Sequence, residues 1–344
     1  MPAKKFKVSL NDLAKELSLS KTLISMVLNG KGDSIKISKE TQKRVFEKAK
    51  ELKYAPNQFA RALRLGKSST IGLIVPDITN PFYSRLALII ESELNKHQYK
   101  LLICNTGENP TTELEIIKNL QARAVEGIFL ASCQRNPKEL IELSTETIPL
   151  ILLDRVFENC PLHSFSADNR SAGEKVAGHF LKSGFKKIAV IGLKPVYVSS
   201  INSRLTGFIE KLKRDGKFSK SQIQLFEIAP EKYEQAIQKI LIKIAKEKTI
   251  DAIFALNNVA AVAVLKVMKK IPLSSPKNFS LFSFDDLDAF ELCHPSISAV
   301  EQPIDQMGRA AADRMILCLK NTEFQDKITI EQFPVKIIVR ESCP

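Results

Sequence analysis

The 344-residue chain has no apolar run long enough for a membrane helix. Its longest, such as Ile253–Leu256 and Val259–Leu265, fall far short of the ~18 residues a span needs. The basic start, Met1 to Lys7, is followed by no apolar h-region, so no secretory signal is read there and a cytoplasmic location is expected. The six cysteines (Cys104, Cys133, Cys160, Cys293, Cys318, Cys343) include no C-x-x-C pair. They are expected to be reduced thiols, because a chain this long buries enough surface without disulfide staples. The four histidines have no metal-ligand partners nearby in sequence. Neither a G-x-S-x-G elbow nor a strand-linked G-x-G-x-x-G loop is present. Gly66-Lys67-Ser68 resembles the tail of a phosphate-binding loop, but Arg61 stands where its upstream glycine is needed. No cofactor and no metal are therefore expected. With 44% hydrophobic and 26% charged residues, the chain reads as globular rather than disordered or fibrous, with two or three domains.

What the chain does have is an uneven charge. Its formal net charge is +13, yet residues 1–67 alone hold sixteen basic and six acidic residues. Positive charge packed into so short a segment points to a polyanion, unless it is simply a solvated face. The segment also carries a binding geometry. Ser9 with Asp12 three residues on opens a short helix faced by Leu10, Leu13, Ala14 and Leu17. After a turn at Ser18-Leu19, Ser20 caps a second helix over 21–28. Leu23, Ile24, Val27 and Leu28 turn inward there, leaving Lys21, Thr22, Ser25 and Met26 for the other face. Asn29-Gly30 stops it, and Ser38 caps a third helix through Val45, Phe46, Ala49 and Leu52. This spacing is a helix-turn-helix whose second helix suits a major groove. The rival reading is a helical bundle with a basic surface.

Pro56 ends the third helix, and 58–64 holds only about two turns, too few to be stable alone. From Thr70 short apolar runs alternate with amphipathic segments. Strands are predicted at 70–75, 100–105, 127–131, 150–153, 164–167, 188–191, 224–228, 252–256 and 280–284, with a last one at 335–339. Runs without alternation indicate parallel sheets covered on both faces. So many β-α units over about 270 residues predict two doubly wound lobes, with ligands beyond the carboxyl ends of their strands.

Taken together, these residues resemble the LacI/GalR (lactose-repressor) family over essentially the whole chain. The motifs are Leu-Asn-Asp-Leu-Ala at 10–14, Leu-Ser-Lys-Thr-Leu-Ile-Ser at 19–25, Val-Leu-Asn-Gly at 27–30 and Tyr-Ala-Pro-Asn-Gln-Phe-Ala-Arg-Ala-Leu at 54–63. Further on come Ile-Gly-Leu-Ile-Val-Pro-Asp-Ile-Thr-Asn-Pro-Phe at 71–82, Pro-Leu-Ile-Leu-Leu-Asp-Arg at 149–155, Phe-Asp-Asp at 284–286 and Gln-Pro-Ile-Asp-Gln-Met-Gly at 302–308. The resemblance implies an all-α helix-turn-helix headpiece at 1–56, a hinge helix and linker at 57–69, and a periplasmic-binding-protein-like α/β core at 70–344. The expected N-lobe is 70–167 with 298–328, and the expected C-lobe is 168–297 with 329–344. It further implies a dimeric repressor that binds a palindromic double-stranded DNA operator and answers to a small, carbohydrate-like effector. The candidate DNA contacts are Ser20, Lys21, Thr22, Ser25, Met26 and Asn29, with Asn57, Ala60 and Leu63 of the hinge. Leu63 is there the minor-groove wedge, or else a satellite core residue. The candidate effector contacts are Phe82, Tyr83, Asp154, Arg204, Asn257 and Asp285, with Arg204 and Asp285 expected on opposite cleft walls. Each has a plainer alternative: Asp154-Arg155 as a surface ion pair, Asp285-Asp286 as a helix cap.

The chain also departs from the family pattern. Met26 replaces a common arginine and cannot make its bidentate contact to guanine, so it either reads a different operator or packs on the first helix. The loop 31–36 is about three residues longer than usual, either adding lysine contacts to phosphates or moving freely. Asn258 replaces a usual aspartate. No apolar heptads follow 335–339, which favours a dimer over a coiled-coil tetramer. Two other functions remain to be separated: an α/β enzyme acting on a sugar or nucleoside and fused to a DNA-binding domain, and a transport-type binding protein.

Overall fold

The computed structural model describes residues 8–54, 68–145, 148–195, 197–216, 218–229, 233–247, 250–270, 280–320 and 327–344. The expected hinge, with Asn57, Ala60 and Leu63, lies outside the described residues. The chain divides into two compact units, Met1–Ser68 and Ser69–Pro344.

In the first unit α1 (Leu10–Leu17), α2 (Lys21–Leu28) and α3 (Lys39–Glu51) follow the expected boundaries. Each begins at a serine whose hydroxyl accepts a backbone N–H of the first turn: Asp12 N to Ser9 at 3.3 Å, Leu23 N to Ser20 at 3.1 Å, Thr41 N to Ser38 at 3.2 Å. These bonds satisfy donors that a helix start would otherwise strand. Leu13, Leu17, Ile24, Val27, Val45 and Ala49 form the core. Such a small cluster needs every cap it has. The helix α2 ends in a Schellman turn: Gly30 N bonds Val27 O at 3.0 Å and Lys31 N bonds Met26 O at 2.9 Å, with Gly30 at φ +72°. That left-handed position is why glycine follows Asn29.

The second unit holds two sheets. One has the order β2 (Lys100–Asn105), β1 (Thr70–Val75), β3 (Gly127–Leu130), β4 (Leu150–Leu153), β5 (His163–Ala167), β11 (Ile330–Phe333), all parallel. The other repeats the winding: β7 (Ile223–Ile228), β6 (Ile188–Leu193), β8 (Ala252–Ala255), β9 (Ser280–Phe284), β10 (Ser298–Glu301), β12 (Lys336–Ile338). Among the described strands only the pairing of β10 with β12 is antiparallel. In the first lobe α4 (Pro81–Asn95) leads from β1, α5 (Pro110–Ala122) and α6 (Lys138–Thr145) follow β2 and β3, and α11 (Ile304–Lys320) packs beside α4. The second lobe takes α7 (Asn169–Lys182), α8 (Ser199–Gly216), α9 (Tyr233–Glu247) and α10 (Asn258–Lys270).

Two expected lobe boundaries shift. β10 belongs to the second lobe, because Ser298–Val300 pair with Phe282–Phe284. β11 belongs to the first, because Ile330–Phe333 pair with Ser164–Ala167. The chain therefore crosses between lobes after Ala167, after Glu301 and after Phe333. No local property of an apolar run says which sheet edge it will join.

The helices α7 and α8 approach until their backbones nearly touch. A Cβ on Gly207 would run into the Arg170 carbonyl oxygen, and one on Gly173 into that of Arg204. This contact fixes the helix that carries Arg204. Gly207→Ala is expected to cost about 1–3 kcal/mol or more by overpacking against backbone that has nowhere to move. Urea denaturation with an unchanged midpoint would contradict it.

Candidate functional site

Asp154 and Asp285 sit one residue beyond the carboxyl ends of β4 and β9, at equivalent places in the two sheets. Both have left-handed backbones, φ +61° and +69°. Aspartate tolerates that conformation better than most residues. Asp154 is buried, not part of a surface pair. Tyr83, on the first turn of α4, donates its hydroxyl to Asp154 Oδ2 at 2.9 Å. Burial pushes the Tyr83 pKa well up, so it stays a neutral donor.

Arg204 is 3% exposed. Its Nε donates to Asn169 Oδ1 at 2.7 Å and its Nη1 to Leu256 O at 3.0 Å. The guanidinium carbon lies 3.6 Å from the Phe284 ring centroid. Nη2 stands 3.8 Å from Asp154 Oδ1, close enough for attraction and too far for a hydrogen bond. Burial pulls the Arg204 pKa down, with Asp285 and Asp154 opposing it. Burial likewise raises Asp154, against Arg204 and Arg155. Asp154 Oδ1 is buried without any hydrogen-bond partner. A native interior rarely leaves a carboxylate oxygen so, which marks it as a site.

Asp285 accepts from Gln302 Nε2 and, at 3.4 Å, from the Asn258 backbone N–H. The short helix that follows it, Asp288–Phe290, has no side-chain cap. Asp286 instead forms a two-pronged pair with Arg340, both contacts at 2.8 Å. The capping alternative is thereby set aside. Phe82 lies edge-on to Tyr83, centroids 5.0 Å apart, and lines a cavity of about 580 Å³ with Asp285, Asn258 and Gln302.

Tyr83, Asp154, Arg204 and Asp285 thus converge between the lobes. The expectation of opposite walls needs correction: Arg204 on α8 and Asp285 after β9 both belong to the second lobe, and Tyr83 and Asp154 face them from the first. Asn257 is partly exposed and spends its side-chain oxygen on Ala260 N at 2.8 Å, as a helix cap. Its neighbour Asn258 does more. Asn258 Nδ2 reaches across the lobes to Asn80 Oδ1 at 2.8 Å. An aspartate there would set two acceptors against each other. Sequence reading missed Asn80, Gln302 and the fork of Arg155 on Glu108, two bonds at 2.7 Å. The first two lay inside quoted motifs, and Asn-Pro at 80–81 reads as a helix start; the fork spans 47 residues and left no local signal.

In the headpiece, Ser20, Lys21, Thr22 and Asn29 are exposed and Met26 partly so. Met26 lies outside the apolar cluster. Ser25 departs from expectation: it is buried, with Asn29 Nδ2 donating to its carbonyl at 2.6 Å and its hydroxyl at 3.3 Å. It supports the end of α2. The longer loop is folded, since Asp33 takes Lys39 Nζ at 2.7 Å and Gln42 Nε2 at 2.8 Å. Those bonds hold the Asp33 carboxyl below its usual pKa.

The sequence profile of the periplasmic binding proteins and sugar binding domain of LacI family matches residues 68–340. The chain belongs to the LacI family. The ribose operon repressor of Halalkalibacterium halodurans is 31% identical, over 97% of this chain and 96% of its own length. A LacI transcriptional regulator from Alkaliphilus metalliredigens, solved with D-xylulofuranose, is 26% identical with TM-score 0.68 over 80% of this chain and 99% of that one. The lac repressor dimer bound to operator and an anti-inducer shares the fold over 98% and 99% of the two chains, TM-score 0.80 at 19% identity. This LacI-family member is a DNA-binding transcriptional regulator controlled by a small effector, and not an enzyme. The histidines fit that role: His163 Nδ1 accepts from Thr329 N at 3.0 Å, and His179 Nε2 lies 2.9 Å from Cys343 O. None of the six cysteines forms a disulfide, and burial pushes the Cys133 and Cys343 thiols up to about 12. Among the described residues no helix is long and apolar enough to cross a membrane.

Proposed function

We propose that this regulator is a cytoplasmic, dimeric repressor whose grip on a palindromic operator is set by a small hydroxylated ligand held by Tyr83, Asp154, Arg204 and Asp285, with Phe82 beside them. The observation that carries this reading is Asp154 Oδ1, a buried acceptor without a donor, flanked by a tyrosine and an arginine that orient it. A ligand hydroxyl supplies the missing donor through a charge-assisted bond. Bridging residues of both lobes, it fixes their relative orientation, and β1 is joined to the DNA-binding end of the chain by a short covalent tether. Ser20, Lys21, Thr22, Met26 and Asn29 make the DNA contacts in this reading, with Asn57, Ala60 and Leu63 of the hinge joining them. Exposed Leu88 on α4, with Leu102 and Ile103 on the edge strand β2, supports a partner subunit against the first lobe.

Footprinting is expected to protect two symmetric half-sites. A saturating ligand from a carbohydrate panel is expected to change operator affinity about 5- to 150-fold, the ordinary range of allosteric coupling. An asymmetric footprint would overturn the dimeric reading, and a bound ligand without effect on DNA would overturn the switch.

A further inference from the structure

The cavity beside Asp285 is lined by five carboxylates, Asp285, Asp286, Asp288, Glu291 and Glu301, against one cation, Arg85. Their ion-pair partners do not restore the balance. Arg340 serves Asp286 and Glu291, Lys336 lies 3.7 Å from Glu301, and Arg85 itself pairs with Asp305 at 3.4 Å. Deeper in the cleft each guanidinium also has its carboxylate: Arg155 has Glu108, and Arg204 has Asp154. Among the described residues that line the cavity, the one cation, Arg85, is therefore already paired.

The other usual receiver of a phosphate is a helix N-terminus. Here α10 begins at Asn258, and its first N–H already points at Asp285 Oδ2. The protein's own carboxylate occupies that position. Meanwhile, among the described residues, the buried polar atoms left without partners in this region are mostly acceptors: Asp154 Oδ1, Asn258 Oδ1 and Gln302 Oε1, against one donor, Arg155 Nε. Asn258 and Gln302, 2% and 7% exposed, both line the cavity. Unmet acceptors ask for a ligand rich in hydroxyl donors, and the surrounding negative charge repels phosphate and carboxylate.

We infer that the effector is an uncharged, polyhydroxylated carbohydrate, and that phosphorylated and carboxylated sugars are rejected. This rests on the carbohydrate reading above and narrows it to one charge class.

The test uses the full chain in a thermal-shift and calorimetric panel of D-ribose, D-xylose, D-glucose, D-fructose and cellobiose, each beside its phosphate ester or aldonic acid. The expected result is that a neutral sugar binds, that its anionic counterpart binds at least about tenfold more weakly, and that the neutral sugar's affinity is flat with salt. An anion that binds as tightly as its parent overturns the inference. So does D-glucosamine binding tenfold more tightly than D-glucose. Asp288→Lys, an exposed change at the cavity mouth, is expected to raise the affinity of the anionic counterpart several-fold more than that of the neutral sugar; equal effects on both overturn the electrostatic account. If no sugar of either charge binds, the carbohydrate reading itself falls, an outcome distinct from binding with the wrong charge preference.

Discussion

Arg204→Met is expected to lower the unfolding free energy of the two-lobed unit by about 3–5 kcal/mol, the usual penalty for removing one member of a buried ion pair. Methionine keeps much of the volume and the contact with Phe284, so the loss isolates the polar role. Three groups would be stranded. Asp154 would stay buried with Tyr83 and, at 4.0 Å, Arg155 beside it, and Asn169 Oδ1 and Leu256 O would each lose a donor. An unsatisfied buried acceptor alone typically costs about 1–3 kcal/mol. Urea denaturation followed on the core is the measurement, and a change below about 1 kcal/mol would show that the site relaxes and rehydrates. Combining Arg204→Met with Asp154→Asn removes the stranded charge as well. That double variant is expected to lose less than the sum of the single ones. Ligand affinity is expected to fall roughly ten- to hundredfold in Arg204→Met, by loss of about 1.5–3 kcal/mol of charge-assisted bonding.

Operator affinity is expected to drop about 10³-fold between 50 and 200 mM salt. Lys21, Lys31 and Lys36 are exposed and take part in none of the ion pairs of the described headpiece. Lys39, Lys43 and Lys48 are already matched to Asp33, Glu47, and Glu16 with Glu51. Lys21, Lys31 and Lys36, on and just after α2, neutralise six phosphates from two headpieces, and each releases close to one counterion from B-DNA. The slope of log affinity against log salt should therefore lie near −5, and removing Lys36 from both subunits should flatten it by about 2. A salt slope near zero would mean that the positive end of the chain is a solvated surface only. The folded loop matters here: with Asp33 holding its centre, Lys31 and Lys36 are presented from fixed backbone positions, at a smaller entropic cost on binding.

The strands were easy to read. Thr70–Val75, Lys100–Asn105, Leu150–Leu153 and Ser280–Phe284 have the limits their apolar runs predict, although β2 is an exposed edge strand and β9 holds Ser283 within it. The serine caps were equally plain. Edge identity was not: Ser298–Glu301 and Ile330–Phe333 are short, and only their partners decide their lobe. Ser25 was misread for a related reason. Helical phase alone puts it near the solvent face, and it is the Asn29 side chain folding back that covers it. In the cleft Asp154, Arg204 and Asp285 do come together, but their pairing needed the fold. Arg204 and Asp285 are 81 residues apart and come from one lobe, whereas Asn80 and Asn258 come from two.

The three crossings between lobes also fix the order in which the molecule can be completed as it is synthesised. When the ribosome has made residue 301 the whole second sheet except β12 exists, yet the first sheet still lacks β11, and β5 presents an unpaired edge. The helix α11, which packs beside α4, is missing as well. Both lobes are therefore sealed within the last forty or so residues, first by α11 and β11, then by β12. A nascent chain carries an open parallel edge for most of its synthesis, and such edges are where chains pair wrongly. A premature stop before Ile330 would leave both sheets incomplete at once, so the segment that carries β11 and β12 acts as a common fastener for two otherwise separate sheets.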